Sequence, residues 1–357
     1  MKVIAADKNA MRMNLAAIRE RAGGAEIIAD LSADGQGLGL LRMARFLWEE
    51  GVQSFAVTES WDAVNLRRGG FTEAHILMLR SITDIRELRE LMECGVTFTI
   101  GSNEAAIALN GLAGELHTVA EARIRVDTGL GQYGFLPSDT ENMLNLFLHM
   151  PGIAITGMYT RMSGVNLKSA AEAQYAAFVG AAEALQSRGA DTGTLMALDS
   201  CSLFRVETGE QSAVLIGSAL IGRTPVKTPG LTRVGTVEVT LEGTKWLPEG
   251  TVIGLGKGKK LRKATRVAVA DLGWYHGVGV LRRTERQELP LLSWRRMLTG
   301  KFEPTLRVNG KRVSILGQAG MTGLLLDVTK CECAPGDRAV LDADPRMLKG
   351  IPVELRE

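Results

Sequence analysis

Cysteine is scarce in this chain: Cys94, Cys201, Cys331 and Cys333 are four thiols among 357 residues, too few for a disulfide scaffold of that size. Neither sign of charge is in excess. The 42 Lys and Arg against 40 Asp and Glu leave a formal net charge of +2, without the strong positive field that non-specific nucleic-acid binding needs. No apolar run approaches the ~18 residues of a membrane-spanning helix. Met1–Lys2–Val3–Ile4 leads into charged residues rather than the apolar stretch of a secretion signal, so a cytoplasmic protein without a membrane partner is expected. Aromatic residues make up only 5%, and the four tyrosines are Tyr133, Tyr159, Tyr175 and Tyr275. Glycine is plentiful instead: 41 residues, above the usual share of about 7%, imply many tight turns. The chain is 45% hydrophobic and longer than the roughly 300 residues at which a single core stops growing, so two domains are expected.

Eight short apolar or β-branched runs occur in the N-terminal part: Glu26–Asp30, Ser54–Thr58, His75–Arg80, Val96–Ile100, Arg123–Asp127, Ile153–Arg161, Leu195–Ser200 and Val214–Ala219. Between them, Leu40–Glu50, Asp84–Cys94 and Ala170–Arg188 space their apolar residues by three and four, as helices laid on a sheet do. Strand and helix alternation implies a parallel α/β sheet, and this many repeats imply an N-terminal (β/α)8 TIM barrel. From Leu231 the pattern changes to short strands, Thr236–Leu241, Thr251–Leu255, Thr265–Leu272, Thr305–Val308, Arg312–Leu316, Leu324–Val328 and Arg338–Leu341. Pro248–Glu249–Gly250, Asn309–Gly310 and Pro335–Gly336–Asp337 supply their turns. The expected organisation is therefore a barrel over 1–228 and a C-terminal mainly-β domain over 229–357, with Arg282–Phe302 a long loop or helical insertion.

In such a barrel the reactive and binding groups sit where strands end. Those positions are Asp30, Thr58 with Glu59, Arg80, Ser102, Asp127, Arg161, Asp199 with Ser200, and Gly217 with Ser218. Two segments at strand ends are distinctive, Asp30–Leu31–Ser32–Ala33–Asp34–Gly35–Gln36–Gly37 and Asp127–Thr128–Gly129–Leu130–Gly131–Gln132–Tyr133–Gly134–Phe135. With Thr160–Arg161–Met162–Ser163, Leu198–Asp199–Ser200, Ile216–Gly217–Ser218, Gly273–Trp274–Tyr275–His276–Gly277 and the stretch from Val308 to Met321, they run through nearly the whole chain. In this order they resemble the signature segments of the alanine racemase family, whose members use pyridoxal phosphate (PLP) and join a barrel to a β domain.

The resemblance implies that fold and a homodimer, but the chemically demanding positions differ. The family's Schiff-base lysine matches Asp30, and its phosphate-contacting tyrosine matches Asp34. A carboxylate cannot form an imine, and an added negative charge beside a phosphate costs about 1 kcal/mol per pair at 4 Å even in water. The family's opposing tyrosine base matches Trp274, which cannot exchange a proton near neutral pH; Tyr275 is one strand position away, facing the other side. The arginine at the pyridine nitrogen matches Leu215, the histidine beneath the ring matches Arg161, and the C-terminal phosphate tyrosine matches roughly Leu355. Small groups persist at Ser200, Gly217 and Ser218. No cofactor is therefore expected.

The leading expectation is a catalytically degenerate homologue that binds a small amino-acid-like ligand or a protein partner. Its ligand-binding set would be Asp30, Asp34, Arg161, Asp199, Ser200, Gly217, Ser218, Trp274 and Met321, carboxylates taking an ammonium and Arg161 a carboxylate or phosphate. The alternative is an isomerase with a rebuilt pocket, using Asp30, Arg161, Asp199, Cys201 or Tyr275. A third reading makes the acids a salt-bridge network with Arg161 and Arg80 that binds nothing. No metal site is expected, since Cys331–Glu332–Cys333 lacks zinc-ligand spacing and partners. Gly254–Leu255–Gly256–Lys257–Gly258–Lys259–Lys260 does not have phosphate-loop spacing and reads as a solvated hairpin; without interleaved aromatics it gives no support to nucleic-acid binding.

Overall fold

The first apolar run, Val3–Ile4–Ala5–Ala6, forms strand β1 (Lys2–Asp7). The computed structural model describes residues 1–163, 167–207, 212–225, 228–254, 258–278 and 306–357. The chain divides into two compact units, Ala10–Arg233 and a second made of Met1–Asn9 with Val234–Glu357.

After α1 (Lys8–Ala22) come β2 (Glu26–Asp30), the short α2 (Ser32–Gln36), α3 (Leu40–Glu49), β3 (Ser54–Val57), α4 (Ser60–Arg68), β4 (His75–Ser81) and α5 (Ile85–Glu93). They are followed by β5 (Thr97–Ile100), α6 (Asn103–Glu115), β6 (Ala120–Val126), α7 (Thr140–His149), β7 (Ile153–Thr160), α8 (Lys168–Gln186), β8 (Thr194–Met196), β9 (Leu198–Asp199) and β10 (Ala213–Ile216). Strands covered on both faces are mostly apolar, and every residue of β3 and β10 is buried. The helices carry one apolar stripe, as Leu40, Met43, Ala44 and Leu47 do in α3. Asp84 starts α5 by accepting the N–H groups of Arg86 and Glu87, and Ser102 starts α6 through Ala105.

The strands are parallel neighbours in the order β8-β7-β6-β5-β4-β3-β2-β10-β9. Only Ala197 separates β8 from β9, so the two ends of this sheet are consecutive in the chain and the sheet closes on itself. The expected run Leu195–Ser200 is thus one strand split in two, its first half pairing with β7 and its second with β10. Inside the ring Ile28, Ala56, Leu77, Leu79, Tyr159, Met196, Ala213 and Leu215 form one buried cluster.

The second unit contains β11 (Thr236–Leu247), β12 (Val252–Ile253), β13 (Lys259–Lys260), β14 (Thr265–Ala270), β15 (Leu306–Val308), β16 (Lys311–Ile315), β17 (Leu324–Asp327), β18 (Arg338–Asp342) and β19 (Val353–Arg356). The long β11 pairs with β18 along its first half and with β14 along its second, closing the ring β11-β18-β15-β16-β17-β14 of antiparallel strands. Strand β1 pairs antiparallel with β11 and parallel with β19. This corrects the expected boundary: residues 1–9 belong with the β unit because the partners of β1 lie there. Trp274–His276 is a 3-10 turn, so strand alternation does not govern Tyr275. The segment Arg282–Phe302 and residues 255–257 of the glycine-rich hairpin lie outside the described residues.

Two buried polar residues hold loops that apolar packing cannot. Asn14 on α1 is fully buried; its Nδ2 donates to the carbonyls of Leu220 (3.1 Å) and Thr232 (2.8 Å), and its Oδ1 accepts the Thr232 N–H at 2.7 Å. In the β unit, buried His276 accepts the Gly273 N–H on Nδ1 at 3.1 Å, a bond only the neutral ring with its proton on Nε2 can make. Burial, reinforced by Lys2 and opposed by Asp271, holds its pKa below the usual histidine range. Asn14→Ala should therefore lose about 2–3 kcal/mol in chemical denaturation, since buried backbone groups lose their partners. His276 contributes stability that is present above its unfolded pKa and lost as pH falls through the lower folded value. Wild type should lose more stability between pH 7 and pH 5 than His276→Asn, whose amide oxygen can take the same N–H without titrating.

Candidate active site at the barrel mouth

The end of β2 sets the geometry of the mouth. Asp30, 6% exposed, accepts the Ser32 N–H on Oδ1 at 3.0 Å, and its Oδ2 lies 3.5 Å from Nη2 of Arg161, the residue after β7. Its main-chain oxygen accepts from Gln36 Nε2 at 2.9 Å. Beyond it the backbone reverses hand: Ala33, Asp34, Gly35, Gln36 and Gly37 have φ of 59°, 56°, 62°, 58° and 79°. Left-handed backbone costs a non-glycine residue about 1–2 kcal/mol, so this turn carries strain at three positions. It brings Gln36 back under Asp30 and presents Asp34, exposed, whose Oδ1 accepts the Leu40 N–H at 2.8 Å and starts α3. Gly217 allows the closure; a Cβ there would lie 3.0 Å from Gln36 Nε2 and 3.2 Å from Asp30 Cβ.

The other rim residues are more committed than their positions suggest. Asp199 Oδ1 accepts the N–H groups of Cys201 and Ser202 and the Ser202 hydroxyl, at 2.9, 3.0 and 2.9 Å, which caps the turn Ser202–Phe204. Ser200 Oγ accepts the N–H groups of Gly217 (2.9 Å) and Ala219 (3.3 Å), tying the end of β9 to that of β10. Ser218 is half-buried beside them, and Cys201 is a buried free thiol. Arg80 pairs with Glu87 and donates to the Thr58 carbonyl, so the imagined network of Arg80 with the rim acids resolves into a local pair. Leu215 lies in the interior cluster.

In the β unit, Trp274, Tyr275 and Met321 gather on one exposed feature: the N–H groups of Trp274 and Tyr275 donate to the carbonyls of Gly320 and Met321, both at 3.0 Å, and all three side chains are exposed. Leu355 is half-buried on β19, paired with Ala6 of β1.

Two groups escaped the sequence reading. Asp62, buried in the first turn of α4, has its carboxyl pushed up to about 6 by burial and by the charges of Asp34 and Glu59. Its signal was a second acid three residues after the rim residue Glu59. Arg125 is buried inside the barrel; Arg123 and Arg125, alternating with Ile124 and Val126, put two cations on one face of β6. Among the described residues no group of His, Cys, Asp or Glu is placed to hold a metal ion, and no helix is long and apolar enough to cross a membrane.

Lysine is nearly missing from the barrel unit. Lys168 and Lys227 are the only two between residues 10 and 233; Lys168 opens α8, exposed and 3.7 Å from Glu172, and Lys227 lies outside the described residues.

The model of the alanine racemase N-terminal domain matches residues 6–225. An alanine racemase of Clostridium perfringens is 26% identical over 358 residues, covering 96% of this chain and 86% of that protein. The alanine racemase from a D-cycloserine-producing Streptomyces lavendulae superposes with a TM-score of 0.85 at 19% identity, over 100% of this chain and 97% of that one. That from Bacillus anthracis with bound L-Ala-P superposes with a TM-score of 0.84 at 22% identity, over 100% and 95% of the two chains. These structures share the fold, and with a family model matched over more than half its length, the chain belongs to the alanine racemase family.

Proposed function

We propose that this protein is a PLP-independent member of its family, whose barrel mouth binds a small amino-acid-like ligand and which acts as a binder or regulator rather than a racemase. The observation that carries this reading is Asp30, a buried carboxylate facing Arg161 at the position that the family resemblance gives to the imine-forming lysine. The residues present do not fit the cofactor. No lysine ends a described barrel strand, exposed Lys168 lies 3.7 Å from Glu172, and two backbone donors that an anion could use at the β10 end are taken by Ser200. Asp30, Asp34, Glu59 and Asp62 with Arg161 make a mouth of mixed sign, suited to a zwitterion whose ammonium pairs with carboxylates and whose carboxylate meets a guanidinium. A rebuilt catalytic pair has less support, since Asp199 Oδ1 already holds three donors. The reading includes the homodimer expected from the family resemblance and the cytoplasmic location expected from the sequence.

Full-length protein incubated with PLP, reduced with borohydride and mapped by mass spectrometry should carry no stoichiometric pyridoxyl group on Lys168 or Lys227, and should not exchange the α-proton of alanine in deuterium oxide. A stoichiometric adduct on either lysine, or exchange that Asp30→Ala abolishes, would overturn the reading. The acidic rim itself is tested by Asp62. Its raised pKa means that its contribution to stability is fully present below the unfolded value and lost as pH rises through about 6. Asp62→Asn should therefore be more stable than wild type at pH 8 by on the order of 1 kcal/mol, reduced by solvent at the rim, with the gain vanishing toward pH 4.

A further inference from the structure

The connection between β17 and β18 carries two thiols that the barrel mouth does not use. Cys331 and Cys333 are 5% and 7% exposed while Glu332 between them is exposed, so both sulfurs turn inward from one short stretch. Cys331 Sγ donates to the Val308 carbonyl at 3.4 Å, with the Glu332 carbonyl a second acceptor at 3.7 Å, and the two thiols are hydrogen-bonded to each other. With its own proton on Val308, Cys331 offers its sulfur as acceptor to the Cys333 S–H. Burial pushes the Cys333 thiol up, helped by Cys331 and Asp337 and opposed by the charge of Arg266.

The backbone around the pair is held from several sides. Arg266 on β14 donates through Nη2 to the Cys333 carbonyl at 2.8 Å. Asn309, in the turn between β15 and β16, donates through Nδ2 to the Glu332 carbonyl at 3.1 Å and to Asp337 Oδ2 at 2.9 Å. The Cys331 N–H donates to the Val328 carbonyl at 2.9 Å, and Asp337 Oδ2 also takes the Ala334 N–H at 3.0 Å. Buried cysteines can serve as small apolar residues, a role that does not require two sulfurs to face each other. Residues two apart keep their Cα atoms within about 7 Å, near the upper end of the ~4.4–6.8 Å that a disulfide spans, so a bridge here needs only a small contraction of the chain.

We propose that Cys331 and Cys333 form a dithiol modification site, which hydroperoxides oxidise to an intrachain disulfide that locks the connection between β17 and β18. One sulfur, as its thiolate, attacks a peroxide oxygen: an S–O bond forms, the O–O bond breaks, and the leaving hydroxide or alkoxide takes up the proton that the thiol released. The second sulfur then attacks the sulfenic sulfur; the S–S bond forms, the S–O bond breaks, and water leaves with the second thiol's proton. Two electrons pass from the sulfur pair to the peroxide. Burial keeps Cys333 protonated, which suits it to the second step. In the cytoplasmic setting proposed above the pair rests reduced, since disulfides there are transient. The site is independent of what the barrel mouth binds.

The test exposes the folded full-length protein to excess hydrogen peroxide at pH 8, then unfolds it in iodoacetamide and digests it with trypsin. Cleavage after Lys330 and Arg338 releases the peptide Cys331–Arg338, which contains both thiols and no other cysteine. After oxidation this peptide should carry no alkyl group and be two hydrogens lighter than the free dithiol, and dithiothreitol should restore its double alkylation. A peptide still doubly alkylated, or Cys331 or Cys333 bridged instead to Cys94 or Cys201, would overturn the site and leave the pair as apolar packing. The contribution of the fold is read at equilibrium in glutathione buffers. The folded chain should keep the disulfide in a buffer about tenfold more reducing than the same chain unfolded in urea tolerates. Equal midpoints for the folded and unfolded chains would also overturn the proposal, since the fold would then not favour the bridge.

Discussion

A carboxylate at the end of β2 faces a guanidinium just past β7, and the shape of the barrel mouth follows from keeping the two together. Asp30 cannot be hydrated where it sits, so Ser32, through its N–H, and Arg161 supply its partners. Those partners need the backbone after β2 to turn back at once, which the left-handed residues 33–37 accomplish, and Gln36 then closes under the Asp30 carbonyl. A Cβ on Gly217 of the adjoining strand end would crowd both Gln36 and Asp30. One ion pair, one strained turn and one close approach are therefore coupled through Asp30.

The charge inside the barrel is balanced unevenly around that pair. Arg123, Arg125 and Arg161 bring three guanidiniums along β6 and β7, while the acids cluster at the ends of β2 and β3 as Asp30, Asp34, Glu59 and Asp62. Asp127 after β6 and Arg80 near the end of β4 complete a mouth of mixed sign. The zwitterionic ligand proposed above would pair with groups of both signs.

Much of the barrel was legible because a strand covered on both faces is written as a nearly unbroken apolar run, as Phe55–Val57 and Ala213–Ile216 are. Strand β1 was not, since its partners lie in Thr236–Leu247 and Val353–Arg356 and nothing local marks a long-range pairing. The reversed turn after Asp30 was hidden for a related reason: Ala33, Asp34 and Gln36 hold positive φ without being glycine, so composition gives no sign of it. At the site, Asp30 and Arg161 could be picked out as polar residues ending apolar strands, but the commitment of Asp199 and Ser200 to backbone donors depends on loop geometry alone. Arg125 did leave a trace, an arginine two residues from another inside a strand.

The central claim is that Asp30 and Arg161 act as one unit where the family resemblance places a lysine and a histidine. A double-mutant cycle measures it directly, comparing wild type, Asp30→Asn, Arg161→Gln and the double variant by urea denaturation at neutral pH. The account predicts a coupling of about 1–2 kcal/mol, below that of a fully buried pair because Arg161 reaches solvent. Additive effects, with coupling indistinguishable from zero, would contradict it.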